Sequence, residues 1–84
     1  MSDLKKMRVA IVGCGNIADQ HASQIRRLPG CEIIAACDTD ELMAGQLADR
    51  FHVPHIFTDA ARMLRETEPD AVHITTPAQS HFPL

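Results

Sequence analysis

The run Arg8-Val9-Ala10-Ile11-Val12-Gly13-Cys14-Gly15-Asn16-Ile17-Ala18 leaves this chain few folds to choose from. An apolar, β-branched strand breaks into Gly-x-Gly-x-x-Ala and passes directly into helical spacing. Gly13 lets the chain turn sharply out of the strand, Gly15 has no Cβ to hold a ligand off the backbone, and Ala18 lets the helix lie close on the strand. The turn directs free backbone N–H groups into the space above the helix N-terminus, where the helix dipole also favours negative charge. An anion such as a pyrophosphate belongs there, with Gly13, Gly15, Asn16, Ile17 and Ala18 around it.

A glycine turn alone is a weak signal, and its context supplies the rest. The next strand, Glu32-Ile33-Ile34-Ala35-Ala36-Cys37, ends in Asp38, which falls about twenty residues beyond the turn, where a dinucleotide site places the carboxylate that accepts from the adenosine ribose hydroxyls. Asp38-x-x-Glu41 also fits a capping box for the following helix, so two readings of Asp38 stand at this point. An acid there, followed by Thr39-Asp40-Glu41 with no Arg or Lys to neutralise a 2′-phosphate, favours NAD over NADP.

Strand and helix alternate along the remaining chain. Ile17, His21 or Ala22, Ile25 and Leu28 recur at helical spacing from Asn16 to Leu28, and Pro29-Gly30 stops that helix. A second helix is expected from about Asp40 to Phe51, with Leu42, Met43, Leu47, Ala48 and Phe51 on its buried side. Val53 to Phe57 reads as a short strand, Thr58 as the cap of a helix through about Arg65, and Ala71 to Thr76 as a fourth strand broken by Pro77. This alternation predicts right-handed crossovers and an α/β, doubly wound parallel sheet, Rossmann-like, with strand order 3-2-1-4. Eighty-four residues are too few for the six-stranded version. The expectation is a disordered lead-in over 1–6 and a truncated dinucleotide-binding domain over 7–84. Its fourth strand would present an apolar open edge, a template for pairing, so a homo-oligomer is expected through that edge.

Composition removes other classes. The net charge is −3 and the eight basic residues are scattered among eleven acids, which argues against a nucleic-acid partner. Three Phe with no Trp or Tyr offer no base-stacking platform. No run approaches the roughly 18 apolar residues of a membrane span and no signal peptide is evident, so no membrane partner and a cytoplasmic location are expected. Cys14, Cys31 and Cys37 lack Cys-x-x-Cys spacing, which argues against a disulfide framework or zinc site. Cys14 reads either as a reactive thiol at a helix N-terminus or, more simply, as a small side chain tolerated in the turn. His52, His55 and His73 form no i, i+4 metal pair.

Val9 to Ala18, Ala36-Cys37-Asp38, Pro69-Asp70-Ala71-Val72-His73-Ile74-Thr75-Thr76-Pro77 and His81 together resemble the N-terminal domain of the glucose-fructose oxidoreductase and inositol dehydrogenase family. The resemblance implies a nicotinamide-dependent oxidoreductase that transfers hydride at a ring carbinol of a sugar or cyclitol. It also implies that Thr75, Thr76 and Pro77 lie along the cofactor toward its nicotinamide end, and that His81 opens the next helix. His21 matches a frequent family histidine. Ala78 stands where the family most often has Asn. The family's Glu-Lys-Pro motif and C-terminal substrate domain are absent from these residues, so no catalytic residue is assigned and the 84-residue chain alone is expected to be inactive. A dinucleotide-sensing or interaction module of the same family, and more weakly a methyltransferase-type nucleoside binder, are the alternatives.

Overall fold

A computed structural model of the chain describes residues 6–75. Four strands, β1 (Met7–Val12), β2 (Cys31–Cys37), β3 (His55–Phe57) and β4 (Ala71–Ile74), alternate with three helices, α1 (Asn16–Arg27), α2 (Glu41–Phe51) and α3 (Ala60–Thr67). The strands form one parallel sheet in the order β3-β2-β1-β4, the Rossmann-like half-sheet expected from the sequence. Residues 1–5 and 76–84 lie outside the described residues, so all but Lys6 of the expected lead-in, and the expected roles of Thr76, Pro77 and His81, fall there.

Both faces of β2 are covered, which explains why it reads as an unbroken apolar run. Val9, Ile11 and Ala36 pack with Ala18, Ala22 and Ile25 of α1 and with Ala44, Leu47 and Ala48 of α2. Ala10, Ile34, Ala35 and Cys37 meet Met63 of α3 on the opposite face. Ile34 and Ala35 share that face because the register skips a residue: Val9 pairs with Ile33, and Ala10 with Ala35.

The local chemistry corrects several boundaries. The cap of α3 is Asp59 rather than Thr58, because its carboxylate accepts from the amides of Ala61 (2.9 Å) and Arg62 (3.4 Å). That helix runs to Thr67, past the expected Arg65, and stops where Glu68 turns left-handed at φ 47°. Helix α2 ends the same way at His52, φ 57°. The third strand is only His55–Phe57, and the fourth ends at Ile74. The buried faces agree with expectation in part: Ala18, Ala22, Ile25, Leu47 and Ala48 are buried, but Ile17, Leu28 and Leu42 are exposed and Ala44 is fully buried. The small side chains let each helix sit close on the sheet, so the larger neighbours turn outward.

The start of β1 is tied to the loop before β4 by reciprocal bonds. The Arg8 amide donates to Asp70 Oδ2 and the Asp70 amide to the Arg8 carbonyl, both at 2.8 Å. His73 turns toward α1, its ring centroid 5.7 Å from that of His21. Val72 and Ile74 point to the other face and are exposed, since α3 packs on β2 and β3.

Met63 is wholly buried and Leu42 is 68% exposed, so they separate burial from hydrophobicity. Met63→Ala should cost about 2–5 kcal/mol, a large part of what a domain this small possesses. Leu42→Ala should stay within about 1 kcal/mol. Urea midpoints of the two variants check this directly.

Candidate functional site

The site is built at the C-terminal ends of β1, β2 and β4. Past Val12 the chain turns at Gly13, whose φ of 90° a side chain would strain. The Gly13 amide donates to the Cys37 carbonyl (2.8 Å), and the Cys14 amide to Asp38 Oδ2 (2.8 Å). From the other side Thr75 donates its amide to the Val12 carbonyl at 2.9 Å. Its hydroxyl reaches the carbonyls of Gly13 and, at 3.3 Å, Val12. The turn is therefore held from both neighbouring strands.

Helix α1 starts directly from this turn. Its N-cap is Gly15, no side chain caps it, and the first backbone bond runs from the Asp19 amide to the Gly15 carbonyl at 3.3 Å. Gly15 itself has φ −88°, which any residue adopts. A Cβ built there meets nothing within 4 Å among the described residues. Among the described residues nothing in the packing calls for glycine at this position, and the missing side chain leaves room for a ligand against the backbone. These features fit a bound pyrophosphate.

Asp38 is half-buried, and the two readings of it separate. The cap of α2 is Asp40, whose side chain accepts from the Leu42 amide at 3.0 Å. Asp38 instead accepts from Asp40 N–H through Oδ1 (2.8 Å) and from Cys14 N–H through Oδ2. An ionised carboxylate offers about four acceptor positions, so each oxygen retains one for a ribose hydroxyl. The capping box is absent.

Cys14 is 1% exposed, and its thiol points to the Cys37 carbonyl at 3.5 Å. Burial first, then the neighbouring Asp38 charge, pushes the Cys14 thiol up from 9.0 to about 12. The Cys37 thiol is raised by the same two causes in the same order. The small-side-chain reading of Cys14 thus holds over the reactive one, although burial makes it a structural anchor of the turn. Sequence reasoning missed that anchor and the part Asp38 plays in the turn. The adjacency of Cys14 to two glycines was the available signal for the anchor; the contact with Asp38, 24 residues away, left none.

A parallel 3-2-1-4 half-sheet with a glycine turn at the end of its first strand and an acid at the end of its second defines a Rossmann-type nucleotide-binding unit. Residues 7–84 match the family described as "Oxidoreductase family, NAD-binding Rossmann fold". The chain belongs to this family, that of the glucose-fructose oxidoreductases and inositol dehydrogenases. It is 35% identical over 78 residues to a D-apiose dehydrogenase of Paraburkholderia graminis, a match covering 93% of this chain and 21% of that protein. It is 32% identical to an inositol 2-dehydrogenase of Rubrobacter xylanophilus, covering 98% and 24% respectively. An oxidoreductase from Agrobacterium radiobacter, solved in complex with NAD+, L-tartaric acid and magnesium, superposes with a TM-score of 0.85 at 30% identity, covering 92% of this chain and 22% of that one. The chain thus spans between a fifth and a quarter of the length of these relatives.

The raised thiols have a measurable consequence. Cys14 and Cys37 should react with a disulfide reagent at pH 8 only as fast as the chain opens, while the half-buried Cys31 reacts sooner. The folded chain keeps on Cys14 a proton that the unfolded chain loses above 9.0. This contribution to stability is therefore intact below pH 9 and is lost as pH rises toward 12. Urea midpoints should fall across that window, and Cys14→Ala should flatten the fall.

Proposed function

We propose that this chain is the dinucleotide-holding part of a nicotinamide-dependent oxidoreductase acting on a ring carbinol of a sugar or cyclitol, with NAD as its cofactor. The observation that carries the reading is the space left open over Gly15 among the described residues, at a helix start where the N-cap Gly15 offers no side-chain cap, bordered by a turn bonded to Asp38. In this proposal the backbone amides after Gly13 and Gly15, at Asn16, Ile17 and Ala18, meet the pyrophosphate, and Asp38 takes the adenosine ribose hydroxyls. Thr75 stands at the end of β4, on the side assigned to the nicotinamide; Thr76, Pro77 and His81 belong to the same proposal by family resemblance. The nicotinamide supplies the hydride acceptor. The protein's share is to hold that ring against a carbon positioned by residues elsewhere, an arrangement that can lower a barrier by about 7–11 kcal/mol.

Calorimetry of the purified chain should show NAD binding more tightly than NADP, since a 2′-phosphate would meet the Asp38 carboxylate. Gly15→Val should abolish NAD binding with the circular dichroism spectrum retained, because the added branch projects into space left open among the described residues. Binding of NADP at least as tight as NAD refutes the preference, and affinity kept by a folded Gly15→Val chain refutes the pyrophosphate placement.

The proposal extends to assembly and location. Strand β4 is the outer strand of the sheet among the described residues, and Val72 and Ile74 are exposed upon it. We infer pairing of two copies along that edge in a cytoplasmic protein. Sedimentation at micromolar concentration should give a dimer that Ile74→Lys dissociates, and a monomer in both cases overturns the pairing.

A further inference from the structure

The family resemblance places Thr75 beside the cofactor, yet its hydroxyl is occupied within the protein. A threonine has one O–H to donate, and here it points to the Gly13 carbonyl, with the Val12 carbonyl as a second acceptor. The Gly13 carbonyl belongs to the same peptide unit as the Cys14 amide, which donates to Asp38 Oδ2 at 2.8 Å. In a trans peptide these two groups point in opposite directions across one rigid plane. One plane is therefore gripped at both edges, by a side chain at the end of β4 and by one at the end of β2.

The grip matters because Gly13 supplies little restraint of its own. Glycine adopts positive and negative φ about equally well, so the plane after it can rotate about the line joining its flanking Cα atoms. Rotation would release both bonds and re-aim the chain entering Gly15 and the first turn of α1. We propose that Thr75 is a positioning residue for the glycine turn: its hydroxyl, opposed by Asp38, locks the Gly13–Cys14 peptide in the orientation that presents the amides of α1, and it donates no bond to the cofactor. The lock is a property of the chain alone; only its effect on affinity rests on the dinucleotide reading above.

Two ligands distinguish the lock from a direct contact. NAD and ADP-ribose share the adenosine and pyrophosphate, and only NAD carries the nicotinamide. Thr75→Val keeps the shape and removes the hydroxyl, and Thr75→Ser keeps the hydroxyl. Thr75→Val should weaken both ligands by the same factor, roughly two- to tenfold for one lost hydrogen bond, and Thr75→Ser should restore both. In the ligand-free chain, hydrogen exchange at the Cys14 amide should accelerate by a similar factor in Thr75→Val, with the buried Ala36 amide of β2 unchanged as the control for global opening. Loss of NAD affinity with ADP-ribose affinity kept would make Thr75 a nicotinamide contact and overturn the proposal. So would an unchanged Cys14 exchange rate, equal acceleration at Ala36, or failure of serine to rescue. If the wild-type chain bound neither ligand, the dinucleotide reading would fall, while the exchange comparison would still decide the lock.

Discussion

The bond from the Cys14 amide to Asp38 Oδ2 joins two strand ends across the top of the sheet, and much else is arranged about it. On its own, a Gly-Cys-Gly turn is among the least restrained pieces of backbone a chain can contain. Here the Gly13 amide is taken by the Cys37 carbonyl, the Cys14 amide by Asp38, and the Cys14 side chain by the core. The second oxygen of the same carboxylate accepts from the Asp40 amide, and Asp40 in turn caps α2. One acid thus shapes both the entry to α1 and the approach to α2. Its charge also helps hold the thiols of Cys14 and Cys37 in their neutral forms.

That bond is within reach because β1 and β2 are paired neighbours, with Val12 opposite Cys37, and the layers above them also lie close. Ala10, Ala18, Ala22, Ala35, Ala36 and Ala44 are wholly buried where helices meet the sheet. With so little side chain between them, α1 and α2 can lie close upon β1 and β2, and the N-terminus of α1 comes down directly above the end of β1. Ile11, Leu47 and Met63 fill the volume the alanines leave. A larger residue at 18 would lift the helix start away from the turn, so its smallness bears on the site as much as on the core.

The strand order, the glycine turn and the acid at residue 38 were legible in the sequence because each follows from a local rule: β-branched runs, a fixed spacing, and the right-handedness of crossovers. The helix faces were less legible. Ala18, Ala22, Ile25, Leu47 and Ala48 are buried as read, yet Ile17, Leu28 and Leu42, which fit the same apolar period, are exposed, and Ala44 takes a buried place where close approach favours a small side chain. Asp59 displaced Thr58 as a cap, both being chemically able, and only the path of the chain decides between adjacent candidates. The hold of Asp38 on Cys14 spans 24 residues and has no local signature. The family resemblance named Thr75 only as a candidate, and the direction of its hydroxyl had no signal in the sequence.

In the proposed site, Asp38 combines two duties that cannot be separated by substitution. Discrimination against a 2′-phosphate calls only for negative charge near the ribose, a task any carboxylate in the region could perform. Holding the turn calls for two acceptors at fixed places, one for the Cys14 amide and one for the Asp40 amide. Alanine removes both acceptors and leaves two amide donors without protein partners. Asparagine keeps one acceptor but sets an NH2 against the other amide, donor facing donor. Serine is too short to reach both amides from the same Cα. A change made at Asp38 to admit a phosphate would therefore also loosen the turn on which the pyrophosphate is proposed to rest.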